Sequence, residues 1–147
     1  MNVSVRHVGN EEEEQVVLNC VRMTKEFEEI KEFILMYGSV LTGYLRGAAF
    51  QIFLKDILYF EAVGAKVFAY TEKEVYHIKR RLYELEELYE RQNFVRCSKS
   101  VLVNILKIES FRPAMNSRCL IRMKNGEDII VSRMYAKQVK NKVMKSM

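Results

Sequence analysis

Two short apolar runs, Cys119–Lys124 and Glu127–Val131, flank the dipeptide Asn125-Gly126. An Asn-Gly pair in that setting is the strongest local signal for a β-hairpin, because both residues tolerate the positive φ of a type I′ turn. It commits the C-terminal third of the chain to paired antiparallel strands. Upstream, the same period-two pattern makes Val40–Leu45 and Phe50–Leu54 strands, joined through Arg46-Gly47-Ala48. Ile57–Val63 and Val67–Tyr70 flank a Gly64-Ala65 turn, and Glu74–Ile78, Phe94–Cys97, Val101–Ile105 and Leu106–Phe111 extend the series. Near the N-terminus, Val3–Val8 and the β-branched run Gln15–Arg22 also read as strands, with the acidic Glu11–Glu14 as a solvated loop between them.

Helical spacing interrupts this pattern twice. Phe27, Ile30, Ile34 and Tyr37 form one apolar face behind the capping residue Thr24, and Gly38 ends the helix. Covering its own sheet is the expected role of that face, with docking on a partner as the alternative. Within Lys79–Gln92 the stripe is Ile78, Leu82, Leu85 and Leu88, and Asn93 ends it. The expected fold class is therefore α+β: predominantly antiparallel β-sheets, one N-terminal helix and one short helix between strands. The basic tail Arg133–Lys145 is a candidate for a further short helix. At 147 residues, with a single proline and no low-complexity linker, the chain suits one core with an appended piece.

Charge is distributed unevenly. Residues 1–50 hold 5 basic and 8 acidic side chains, whereas residues 93–147 hold 12 basic and 3 acidic. So concentrated an excess marks a polyanionic partner. The N-terminal segment lacks the basic start and apolar core of a signal peptide, and no apolar run is long enough to span a bilayer, so the expected location is the cytoplasm. Three cysteines without a C-x-x-C spacing fit a reducing compartment; Cys20 and Cys119 lie in apolar runs and are expected to be buried. No zinc-protease, nucleophile-elbow, P-loop or dinucleotide motif occurs, so no catalytic residue, metal site, cofactor or small-molecule substrate is expected. His77, in a strand pattern, reads as half-buried and structural.

Four phrases stand in a specific order. Asp56-Ile57-Leu58-Tyr59-Phe60-Glu61-Ala62 is followed by Gly64; Leu82-Tyr83-Glu84-Leu85-Glu86-Glu87-Leu88 comes next. Phe94-Val95-Arg96-Cys97-Ser98-Lys99-Ser100 then leads to Val103-Asn104 and Ile108, and Asn125-Gly126 precedes Ile130-Val131-Ser132-Arg133. Together they resemble the LytTR DNA-binding domain over about residues 45–147. The front of the chain resembles short stand-alone members without a phosphoacceptor receiver domain. The resemblance implies an elongated set of small antiparallel sheets that puts loops, not a recognition helix, into successive major grooves and the minor groove between them. It divides the chain into an extension, 1–44, with a candidate dimerisation role, and a DNA-binding domain, 45–147.

The implied contact residues are Lys66, Arg96, Ser98, Lys99, Ser100, Asn116, Arg118, Ser132 and Arg133. Serine hydroxyls suit phosphate oxygens; Lys99 can reach phosphate or a guanine edge, and Arg133 offers a planar fork to guanine. Lys66 follows the Gly64 turn, and Asn116 with Arg118 forms a candidate backbone clamp before the last hairpin. Each has a plainer reading. Ser100 and Asn104 can bond turn backbone, which is the favoured reading for Asn104, and Arg96 and Arg118 can be solvated charges. The sequence departs from the family at Ser98, where many members carry histidine, and at Met134, which cannot donate to a base. Cys97, beside the contact turn, is expected to be an inert strand thiol. The implied partners are double-stranded DNA read as repeated half-sites, a second copy in a homodimer, and a membrane protein that restrains the regulator. A protein-interaction module is the second reading, and RNA binding a third.

Overall fold

A computed structural model describes residues 1–146. Helix α1 (Lys25–Tyr37) leads into strands β1 (Val40–Leu45), β2 (Ala48–Phe53), β3 (Tyr59–Val63), β4 (Lys66–Tyr70) and β5 (Val75–Ile78). Helix α2 (Leu82–Tyr89) separates these from β6 (Phe94–Arg96), β7 (Val101–Asn104), β8 (Ile108–Pro113), β9 (Cys119–Met123) and β10 (Asp128–Val131), and α3 (Ala136–Ser146) closes the chain. Every strand pairing is antiparallel. A seven-stranded sheet runs β2-β1-β5-β4-β3-β7-β6, and a three-stranded sheet runs β10-β9-β8.

Alternation along the central strands produces two cores. Phe94 and Leu102 point into one, with Phe60, Met36, Ile52, Leu82 and Leu85. Their chain neighbours Val95 and Val103 point into the other, with Leu58, Ile121, Met123, Val131, Val139 and Val143. Successive strand residues face opposite sides, so this part of the large sheet is sandwiched. The helices α1 and α2 contribute to the first core; the small sheet and α3 contribute to the second. Burial on both faces explains why FV and VLV are unbroken apolar runs.

Turn chemistry is redistributed relative to expectation. The two-residue turn with positive φ at both positions is Arg46-Gly47 (51° and 77°), the pattern of type I′. At the Asn125-Gly126 hairpin only Gly126 has positive φ, 91°. The Gly126 amide donates to the Met123 carbonyl at 2.9 Å and the Met123 amide to the Glu127 carbonyl at 2.8 Å. That is an ordinary turn followed by a left-handed glycine, which bulges the hairpin instead of closing it in two residues.

Several expectations need correction. Val3–Val8 and Gln15–Arg22 form no strand, the latter ending in a bend at Val21–Arg22; Glu11–Glu13 makes one 3-10 turn capped by Asn10. β-branched residues supply only half of a strand, and no neighbouring backbone pairs with these runs. Cys20 is exposed and Cys119 partly so; only Cys97 is buried. On α2 Leu88 faces solvent, and Tyr89 packs against the first core in its place. Helix α1 has the expected cap, with Thr24 Oγ1 accepting from the Phe27 amide at 3.3 Å. Its only buried residue, however, is Met36, so the helix covers its sheet far less than its periodicity implies.

Candidate nucleic-acid interface

Strand register brings four separate turns side by side. The Gly64-Ala65 turn joins β3 to β4, whose last pair is Val63 with Lys66. Beside it, the Ala62 amide donates to the Ser100 carbonyl at 2.8 Å, which fastens the Ser98-Lys99-Ser100 turn to the end of β3. On the far side of that turn, the Ser132 amide donates to the Cys97 carbonyl at 2.9 Å, linking the large sheet to the segment that leaves β10. Finally, Cys119 pairs with both Val131 and Pro113, so the Ala114–Arg118 loop lies at the same end of the small sheet as Ser132. The resulting row is 64–66, 98–100, 132–133 and 114–118.

Within this row Lys66, Lys99, Asn116, Arg118 and Arg133 are exposed, and Ser98, Ser100 and Ser132 are half-buried. Ser98 Oγ accepts the Ser100 amide at 3.2 Å, and the two hydroxyls lie 3.4 Å apart. The turn-bonding role considered for Ser100 therefore belongs to Ser98. Arg96 sits behind the turn, with its side chain 13% exposed. Its Nε lies 3.9 Å from Glu86 Oε2 on α2 and its Nη1 donates to the Lys99 carbonyl at 3.5 Å. In this arrangement Arg96 braces the backbone that presents Lys99. Asn116 and Ser117 both have φ of 59°, a left-handed pair that turns the loop outward.

Two buried polar groups lie along the strands that carry the row: Asn104 at the far end of β7 and Cys97 at the turn itself. Asn104, fully buried, donates from Nδ2 to the Ile57 carbonyl at 2.8 Å and accepts the Leu106 amide on Oδ1 at 3.0 Å, the backbone role expected of it. Burial pushes the Cys97 thiol up to about 12, which keeps it protonated and unreactive at neutral pH. Further along, Lys142 of α3 donates to the Glu90 and Phe94 carbonyls at 3.1 and 3.2 Å. That clamps the helix following Arg133 onto the end of α2.

The sequence reading missed one cationic cluster. Val67 pairs with Ile78, which sets the run Lys79-Arg80-Arg81 next to Lys66. The signal was the three consecutive basic residues, hidden because they read as the start of a helix. Lys79 is steadied by the face of Tyr44, 4.1 Å from its ammonium, and Arg80 by Glu84 at 3.9 Å.

A β scaffold that lines one edge with basic and hydroxyl-bearing turns presents a surface chemically suited to nucleic acid. The model of the LytTr DNA-binding domain matches residues 47–144. The fold is similar to a solved LytTr DNA-binding domain from Bacillus cereus, with a TM-score of 0.68 and 30% identity over 71% of this chain and 96% of that one. Uncharacterized HTH-type transcriptional regulators of Staphylococcus aureus, from strain bovine RF122 / ET3-1 and strain COL, are each 29% identical over 92% of both chains. This chain belongs to the LytTr DNA-binding domain family, a family of transcription-regulator domains and not of enzymes. Among the described residues no two α-helices are joined by a short turn, so these residues form no helix-turn-helix of the kind those relatives' names mention. Among the same residues no helix is long and apolar enough to cross a membrane.

Proposed function

We propose that the chain is a sequence-specific regulator of transcription that reads double-stranded DNA, as repeated half-sites, with the row of turns described above. The observation that carries this reading is the convergence of Lys66, Lys99, Arg118 and Arg133 from four different turns onto one row. Lys99 and Arg133 reach base edges, whereas Ser98, Ser100, Ser132 and Asn116 bind phosphate oxygens. Lys66 enters the neighbouring groove with Lys79-Arg80-Arg81 behind it, and Arg96 holds the central turn. One such module buries little DNA, so two protomers act together. Residues 1–44 form the extension and 45–147 the DNA-binding unit; β1 pairs with β2 along its whole length, so a shortened chain that still folds must begin before Val40. The site of action is the cytoplasm.

Gel-shift titration against genomic fragments tests this reading. Lys99→Ala and Arg133→Ala should each weaken specific binding by about 1–3 kcal/mol and relax discrimination at one base step. Unchanged affinity in both variants refutes the site, and no binding even at low salt refutes the function.

The second reading, a protein-interaction module restrained by a membrane protein, draws on the exposed apolar residues Phe33, Leu35 and Tyr37 of α1. Replacing Phe33, Leu35 and Tyr37 with serine separates the two: DNA binding that persists while partner capture disappears assigns this helix face to the partner alone.

A further inference from the structure

Sheet edges are normally protected against pairing with other chains by charge, proline, bulges or shortness. Three of the four edges here follow that rule. Strand β8 carries Glu109, Arg112 and Pro113 and an irregular register near Ile108; β6 has three residues; β10 opens with Asp128. The fourth edge is β2, Ala-Ala-Phe-Gln-Ile-Phe, which has no charge, no proline and no bulge, and only Ile52 is buried. Its outer backbone groups form a ready template for one more strand.

The same chain contains a strand-like sequence without a template. Gln15–Arg22 (QVVLNCVR), with valines at 16, 17 and 21, has no regular structure, bends at Val21–Arg22 and joins no sheet, and Val16 and Val17 remain 68% and 60% exposed. The charges at the ends match as well. Arg46 precedes β2 and Lys55 follows it, while Glu11–Glu14 lies directly before the unpaired segment. Pairing in either direction places that acidic run beside a basic end of β2.

We propose that Gln15–Arg22 of one copy adds as a strand to β2 of a second copy, and the reverse, so that two chains exchange strands about a two-fold axis. This gives the dimer proposed above its contact surface. Exchange between copies is favoured over folding back within one chain by the position of α1. Only Met23 and Thr24 separate the segment from the start of α1, whereas β2 meets the other end of the helix. There the Leu54 amide donates to the Ser39 carbonyl at 2.9 Å, and Lys55 lies 3.7 Å from the Tyr37 ring centroid. A helix of 13 residues is about 20 Å long. Within one copy the segment would spend most of its length returning along α1. A symmetric partner removes that constraint, as in β-strand addition and domain swapping.

Sedimentation equilibrium of the intact chain without DNA is the first test, with a dimer expected. Val17→Asp with Val21→Asp should raise its dissociation constant tenfold or more; both residues lie outside the core, so the fold survives. A thiol introduced at Ala48, Ala49 or Gln51 in turn should form a disulfide with the native, exposed Cys20 under mild oxidation. The expected product is a linked dimer on a non-reducing gel, absent when Cys20→Ser is added. A monomer at every concentration, a link formed only within one chain, or a dimer indifferent to these changes overturns the proposal. The DNA reading is judged separately, since Lys99→Ala leaves this surface untouched and is scored by gel shift.

Discussion

Asn104 shows how one side chain can join two segments at the end of β7 away from the Ser98–Ser100 turn. It ends β7, and its amide and carbonyl groups hold two stretches of backbone that no strand pairing reaches. Asn104→Ala leaves the buried Ile57 carbonyl and the part-buried Leu106 amide without these bonds, which should cost about 1–3 kcal/mol in urea denaturation. The spacing of Asn104 suited a backbone role, and the structure bears that out. The cysteines show the opposite case. An apolar neighbourhood in sequence suggested burial for Cys20 and Cys119, yet the buried thiol is Cys97. Iodoacetamide at pH 8 should therefore label Cys20 within minutes and leave Cys97 untouched in the folded protein, as peptide mass spectrometry would reveal. Cys97 also contributes a pH dependence. Its thiol is raised from 9.0 to about 12 in the fold, so the unfolded chain releases a proton that the native state keeps. The stability from this neutral thiol is whole below pH 9 and drains away as pH climbs toward 12. Tyr70, raised from 10.0 to about 12 by burial and by its bond to Glu61, adds to the same loss.

Among elements, the β1-β2 hairpin depends on one close approach. Gly43 is buried, and a Cβ there would meet Ile52 Cδ1 and lie 2.8 Å from the Tyr76 Cβ. Phe50, opposite Gly43 on β2, reaches the Tyr76 ring at 5.7 Å. Gly43→Ala should push the hairpin off β5 and cost about 1–3 kcal/mol, the range for overpacking, measured as a fall in denaturation midpoint. If the midpoint does not move, the hairpin is looser than this packing implies. Strands and the two internal helices were legible as elements because period and turn residues are local properties. Their ends were less so: β2 begins at Ala48, inside the turn expected from Arg46-Gly47-Ala48. The N-terminal runs illustrate the limit, since pairing is a property of two segments and the pattern reports only one.

At the scale of the whole molecule, the basic excess of the C-terminal third has to act through a surface, and salt reports on that surface. If six or more cations meet phosphates, affinity should fall roughly a thousandfold from about 50 to about 200 mM salt. A shallow slope would mean that the row of turns does not follow the DNA backbone. The amino-acid order alone determined the α+β class, most strands, both internal helices and the basic and hydroxyl-bearing residue types of the aligned turns, because each depends on a few neighbouring residues. Which turns stand together was decided only by the three-dimensional structure. Lys66, Lys99, Arg118 and Arg133 are far apart along the chain, and it takes the Ala62–Ser100 and Ser132–Cys97 hydrogen bonds with the β9 register to align them. The same long-range pairing set Lys79-Arg80-Arg81 beside Lys66, turned Arg96 inward and left β2 bare. Such outcomes depend on contacts between distant segments, which no local pattern encodes.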